Sequence, residues 1–308
     1  MSDEFKWVTG GTLAVLTIAT AIGWLLERRA TDSNRATLQN LNARTRSWWW
    51  MIAIFGGALA GGQIPTIVLF ALLSFMALRE FWTLASSRPG DHRALFLSFF
   101  VVLPIHYALL GCNWYGLFVI LIPVYAFLIL PAISTLAGDV TDFLDRSAKV
   151  QWGLMLCVYC LSHAPALMLL DTGVDPALLV LYLVAVVQFS DVAQYVFGKL
   201  FGRTHFSPNV SPSKTLEGLL GGWAAAIGLG MLLRGLTPFT LWQSAGMSLA
   251  IVVAGFFGGF VLSAVKRDLG AKDWGYVIEG HGGVLDRVDS IVFAAPIFFH
   301  LTRYWFTD

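Results

Sequence analysis

Charge is scarce in this chain of 308 residues: Asp, Glu, Lys and Arg together supply 13% of it, against 57% hydrophobic residues. A soluble domain could not hide that much apolar surface from water, so a soluble fold is excluded. The net charge is only +1, and no nucleic-acid-binding signature accompanies it, which removes nucleic acid from the expected partners. Three cysteines, Cys112, Cys157 and Cys160, are too few and too apolar in setting for a disulfide framework. The C-V-Y-C spacing of the last two falls inside an apolar run, where small side chains three apart serve packing. No G-x-x-x-x-G-K-[ST] occurs, and no strand-borne G-x-G-x-x-G, so neither a Walker loop nor a dinucleotide loop holds a nucleotide here. The first apolar run follows Asp3 and Glu4 and has no clear small-x-small cleavage site; it is expected to be a span, not a cleaved leader.

What the chain has instead is apolar runs of about the ~20 residues that cross a bilayer as a helix. Mean hydropathy is +0.70. Ten spans are expected, at 7–26, 47–61, 64–79, 94–112, 115–137, 150–170, 176–190, 216–234, 241–263 and 290–306. The predicted fold is therefore all-α, a polytopic integral membrane protein of about ten transmembrane helices. The second and third runs are short, joined by "GGQIP", and read as a re-entrant or tilted pair. With the N-terminus outside, the alternate loops and Arg79 hold 17 of the 20 basic residues on one side. That asymmetry satisfies the positive-inside rule and assigns those loops to the cytoplasm.

Two of these cytoplasmic stretches mix acids, bases, hydroxyls and glycines: 188–222, and 263–290 with "EGHGGVLDRVDS" at its end. Asp286 and Asp289 are i and i+3, so a helix points both carboxylates to one face. Such acids favour hard cations, and Mg²⁺ joins one or two carboxylates to substrate phosphate oxygens. Read alone, the acids are better explained as N-terminal helix caps, a role that Asp289 and Ser290 would serve well. Lys266 and Arg267 taken alone are ordinary positive-inside flanks; Lys272 and Arg287, with Lys199 and Lys214 from the first stretch, strengthen a phosphate-binding reading. The glycines at 280, 282 and 283 either let backbone amides approach a ligand or shape a tight turn. His281 among them is a candidate donor or proton carrier. Ser211, Ser213 and Thr215 precede a helix whose N-terminus suits an anion, or simply cap it. Gly218 and Gly222 have the spacing of helix packing. Ser190 and Asp191 are placed at the end of the seventh span. These residues together describe a cytoplasm-facing, metal-assisted phosphate site between membrane helices.

The second stretch resembles the signature of the phosphatidate cytidylyltransferases, or CDP-diacylglycerol synthases. The resemblance rests on Ser263, Lys266–Arg267, Lys272–Asp273, His281–Gly282–Gly283, Asp286–Arg287 and Asp289. The first stretch resembles the family's other hallmark through Ser190–Asp191, Tyr195, Gly198–Lys199, Gly202, Ser211–Pro212, Lys214–Thr215 and Glu217–Gly218. Glu279 stands where the family usually has proline, and Gln194 where it usually has a small residue. The resemblance implies CMP transfer from CTP to phosphatidate, giving CDP-diacylglycerol and pyrophosphate with Mg²⁺ and room for a second cation. It implies metal on Asp273, Asp286, Asp289 and Asp191, with Lys214 also in the catalytic set. It implies substrate contacts from Ser190, Lys199, Ser211, Thr215, Lys266, Arg267, Lys272, His281, Gly282, Gly283 and Arg287. The expected partners are CTP, phosphatidate and the lipid bilayer, in a bacterial inner membrane; homodimerisation is left open. Residues 1–187 are expected as an N-terminal helical region and 188–308 as the catalytic one. A CTP-dependent polyprenol-type lipid kinase is the alternative enzyme, and a multi-span lipid transporter the alternative outside enzymes.

Overall fold

The computed structural model describes residues 3–28, 32–85, 87–277 and 282–307. Among these described residues ten helical rods follow one another: α1 Asp3–Arg28, α2 Asp32–Ala60, α3 Gln63–Leu84, α4 Pro89–Gly111, α5 Tyr115–Thr135, α6 Phe143–Leu169, α7 Pro176–Phe201, α8 Leu216–Leu236, α9 Leu241–Asp268 and α10 Leu285–Phe306. Among the described residues no strand forms; one isolated bridge pairs His205 with Thr215. Eight of the rods are long and apolar enough to cross a membrane. The other two are α2, which begins with a polar, basic half, and α10, which carries Asp286, Arg287 and Asp289 in its first turns. The protein is an all-α, polytopic membrane protein.

The helix limits follow local chemistry. Asp175 caps α7 by accepting from Ala177 N, and Pro176 fits the first helical position, where no N–H is needed. Thr240 and Gln243 form a reciprocal capping box at the start of α9. The turn between α2 and α3 uses Gly62 at φ 90°, a conformation that side chains resist. At 29 and 22 residues, α2 and α3 are about 44 and 33 Å long, so each is a full rod, longer than the apolar run that announces it.

Widened turns with i→i+5 bonding interrupt α4, α5 and α6 at Ser98–Val102, Leu121–Ala126 and Met155–Cys160. Prolines 104, 123 and 165 lie in or near them and withhold amides from the regular ladder. One buried polar relay lies nearby: His106 Nε2 donates to Ser162 Oγ at 2.8 Å, and that hydroxyl donates to the Tyr159 carbonyl. One apolar core runs through the whole bundle, from Phe5, Phe70 and Phe81 to Tyr182, Ile291 and Phe298. It fixes α3 and α6 against α10, and so joins the first half of the chain to the segment carrying the acids.

Candidate active site

The last four rods build the site, and their close approach depends on missing side chains. A Cβ on Gly222 of α8 would lie 2.7 Å from the backbone nitrogen of Gln194 in α7. On Gly258 of α9 it would lie 2.7 Å from the Asp289 carbonyl in α10. Small residues at such crossings let membrane helices touch backbone to backbone. Helix α7 does not end at Ser190: it runs on to Phe201, so Ser190, Asp191, Gln194 and Lys199 all ride on a helix instead of a loop. Apolar Val192, Val196 and Phe197 continue the helical face through the charged residues that mark the expected boundary.

Asp191 and Asp289 meet through one hydroxyl. Ser290 Oγ donates to Asp191 Oδ2 at 2.8 Å and lies 3.4 Å from Asp289 Oδ1, which also accepts from Ser290 N at 2.7 Å. Asp191 Oδ1 and Asp289 Oδ2 have no hydrogen bond among the described residues. Gln188 Nε2 donates to the Arg287 carbonyl at 3.3 Å, a second tie between α7 and α10. Asp289 sits in the second turn of α10, well past the cap position, while Asp286 in the first turn accepts from the amide of Gly283, the residue before the N-cap.

Asp286 is fully engaged. Its Oδ1 receives Lys266 Nζ at 2.7 Å, and its Oδ2 receives Trp274 N at 2.8 Å and Gly283 N at 3.0 Å. The side chains of Lys266 and Asp286 are 10% and 6% exposed, so this is a buried ion pair. Arg287 is half-buried, and its Nε is shielded from solvent without a partner among the described residues. A shielded donor of that kind is an unmet requirement that an anion can satisfy.

Lys214 reaches the same place from the loop between α7 and α8. Glu217 in the first turn of α8 orders that loop by accepting from Arg203 N, Thr204 N and Thr204 Oγ1. Thr215 caps α8 by accepting from Gly218 N at 3.3 Å. The Lys214 ammonium lies 4.6 Å from the centre of the Phe256 ring, a cation–π contact, and interacts with Asp191 and Asp289. Burial pushes its pKa down, and the two carboxylates oppose that shift.

The structure thus gathers Asp191, Asp286, Asp289, Ser290, Lys214, Lys266 and Arg287. Ser190 is buried beside them, accepting from Gln194 Nε2 at 2.9 Å. Other expected contacts stand apart. Arg267 is exposed and donates to the Ala271 carbonyl at 3.0 Å, closing the end of α9. Lys199 is exposed, 5.7 Å from the Tyr195 ring. Lys272 is exposed and Asp273 half-exposed, with no hydrogen bond or ion pair among the described residues. Ser211 lies in the ordered loop, its carbonyl accepting from Lys214 N. His281 and Glu279 lie outside the described residues. Among the described residues no three His, Cys, Asp or Glu side chains are placed to hold one metal ion. What is available is a carboxylate pair, Asp191 and Asp289, each with an open oxygen. That donor set fits Mg²⁺, which completes its shell with phosphate oxygens and water.

The glycine run does not present amides to a ligand at its described end. Gly282 adopts φ +82°, serving the turn, and the Gly283 amide goes to Asp286. The next two amides go to a residue that sequence reasoning missed. Glu80 of α3, 4% exposed, accepts from Val284 N at 2.9 Å and Leu285 N at 2.8 Å. Beside it, Phe81 stacks on buried Trp274 with ring centres 5.5 Å apart. In sequence, Glu80 is an acid at the inner end of a span beside Arg79; its partners lie 204 residues further on, where no local pattern points.

Across residues 42–305 the chain matches the family model of the cytidylyltransferase family. The chain belongs to that family. It is a nucleotidyltransferase, built as a multi-pass membrane protein. Over 295 residues it is 41% identical to a protein of Escherichia coli strain K12 named "Uncharacterized protein YnbB", covering 94% of this chain and 96% of that one. Over 120 residues it is 36% identical to a phosphatidate cytidylyltransferase of Staphylococcus aureus strain COL, covering 38% of this chain and 46% of that enzyme. Over 113 residues it is 40% identical to a phosphatidate cytidylyltransferase of Synechocystis, covering 36% and 38% of the two chains. The match to these cytidylyltransferases thus spans less than half of either enzyme, whereas the match to the Escherichia coli protein spans nearly all of both chains.

Proposed function

We propose that this cytidylyltransferase-family protein transfers CMP from CTP to phosphatidate, giving CDP-diacylglycerol and pyrophosphate for phospholipid synthesis. The observation that carries the reading is the Asp191–Ser290–Asp289 bridge, set beside Lys214 and the unpartnered Arg287 Nε. Charged residues at one end of a membrane bundle suit a reaction whose lipid stays in the bilayer and whose nucleotide comes from water. In line with the distribution of Lys and Arg, that end faces the cytoplasm of a bacterial inner membrane. Residues 188–308 carry the chemistry in this reading, and residues 1–187 frame it.

The nucleophile is an oxygen of the phosphatidate phosphate, largely ionised near neutral pH, so a strong general base is not required. That oxygen forms a bond to the α-phosphorus of CTP; the bond from that phosphorus to the bridging oxygen breaks, and pyrophosphate leaves with the electron pair. The work of the protein is to bring two polyanions together and align them. Lys214 and Arg287 offset their repulsion, Arg287 through a donor that has no partner among the described residues. Asp191 and Asp289 would hold Mg²⁺, which supplies positive charge to the phosphate oxygens when bound. Asp286 holds Lys266, Trp274 and Gly283 in place, and so fixes the ground on which Asp289 and Arg287 stand. Lys199, Arg267 and Lys272 stand apart from this cluster and are exposed. CTP labelled in cytidine or in its γ-phosphate separates the reactions: label from cytidine in the lipid supports this reading, and label from the γ-phosphate supports a lipid kinase instead.

A further inference from the structure

We infer that Glu80, on the third helix, is a positioning residue for the metal–nucleotide site: it clamps the first turn of α10 and thereby sets where Asp289 stands. The inference rests on the proposed assignment of metal to Asp191 and Asp289. Helix α10 has no side-chain cap of its own, since Val284 occupies its N-cap position. The first amides of a helix need acceptors, and an acid there is further favoured by the helix dipole. Glu80 supplies both needs from another helix, one oxygen to each of Val284 N and Leu285 N.

The space around the carboxylate is built for it. A Cβ on Gly283 would lie 2.5 Å from Glu80 Oε2, and one on Gly275 would lie 2.9 Å from Oε1. Two glycines from separate parts of the 270–284 segment therefore leave room for one acid. Phe81 adds the stacked contact with Trp274, whose amide holds Asp286. The chain from Glu80 and Phe81 to Trp274, Asp286 and the start of α10 is continuous. Because its occupant is a protein carboxylate, this helix N-terminus is closed to a substrate phosphate. The phosphates must be gripped by side-chain cations instead, which accounts for Lys214 and Arg287 lying where they do.

The test is Mn²⁺ affinity of the purified protein in detergent, read from the electron paramagnetic resonance signal of free Mn²⁺, with thermal midpoint and CTP turnover measured on the same samples. Glu80→Gln replaces one acceptor oxygen by a donor that faces an N–H. Supporting groups behind metal ligands typically contribute about 10- to 100-fold in affinity, so Mn²⁺ binding is expected to weaken at least about tenfold. Glu80→Asp, which keeps the charge on a shorter stem, should fall between the two. Should the Glu80 variants not fold, Gly275→Ala presses on the same carboxylate and should weaken Mn²⁺ in the same sense. Parental Mn²⁺ affinity in a folded Glu80→Gln, or in Gly275→Ala if that is the variant that folds, overturns the inference. A parent protein that binds Mn²⁺ through Asp289 but makes no CDP-diacylglycerol defeats the proposed reaction and leaves this inference to be decided by the Mn²⁺ data.

Discussion

Removing one hydroxyl should disarm the site without unfolding the protein. Ser290 is 4% exposed, and its Oγ donates to Asp191 at 2.8 Å while touching Asp289 at 3.4 Å. Ser290→Ala deletes that bridge but keeps the backbone and the helical register. A buried hydrogen bond to a charged group contributes about 1.5–3 kcal/mol. If the loss falls on the geometry in which both acids share a cation, it corresponds to about 10- to 150-fold in affinity or kcat/KM at 1.4 kcal/mol per tenfold. The assay is CTP turnover by detergent-solubilised protein across a Mg²⁺ titration. Half-saturation should move to higher Mg²⁺ by that factor, and high Mg²⁺ should recover part of the rate. A folded Ser290→Ala with the parental Mg²⁺ curve and rate would refute the idea that the two carboxylates act as a pair.

Other outcomes follow from the packing around that pair. Lys266→Met leaves the Asp286 carboxylate buried without its cation and should destabilise the protein by about 3–5 kcal/mol. The double variant Lys266→Met/Asp286→Asn should be more stable than Lys266→Met alone, because an amide oxygen still accepts from Trp274 N and Gly283 N; additive losses in thermal midpoint would count against the pairing. Gly222→Leu drives a side chain into the Gln194 backbone and should separate α7 from α8, lowering the midpoint and abolishing CTP turnover together. Thr215→Ala removes only a cap and should cost about 1 kcal/mol with turnover largely retained; loss of turnover at parental stability would give Thr215 a direct role.

The helices were legible in the sequence because apolar runs of bilayer length leave little choice of structure. Their ends were harder to read. Charges at Asp191 and Lys199 look like a membrane boundary, yet α7 continues because its apolar face does, and α2 extends into a polar half that hydropathy does not register. The pairing of Asp289 with the 188–222 stretch could be argued from shared sidedness and resemblance, and the Ser290 bridge gives it a physical form. The division of labour among the acids could not be read from spacing. Asp286 and Asp289 are three apart on one helix, but one is consumed by Lys266 and two amides while the other keeps an open oxygen. Glu80 was out of reach altogether, since its partners are main-chain groups that any sequence would present.

The proposed reaction transfers CMP from CTP to phosphatidate at the Asp191–Asp289 site and releases pyrophosphate. Its most direct test is product mass from purified protein given phosphatidate, CTP and Mg²⁺, run beside Asp289→Asn. The account predicts CDP-diacylglycerol and pyrophosphate in equal amounts from the parent and neither from a folded Asp289→Asn. CDP with a newly phosphorylated lipid, or undiminished CDP-diacylglycerol from Asp289→Asn, would contradict it.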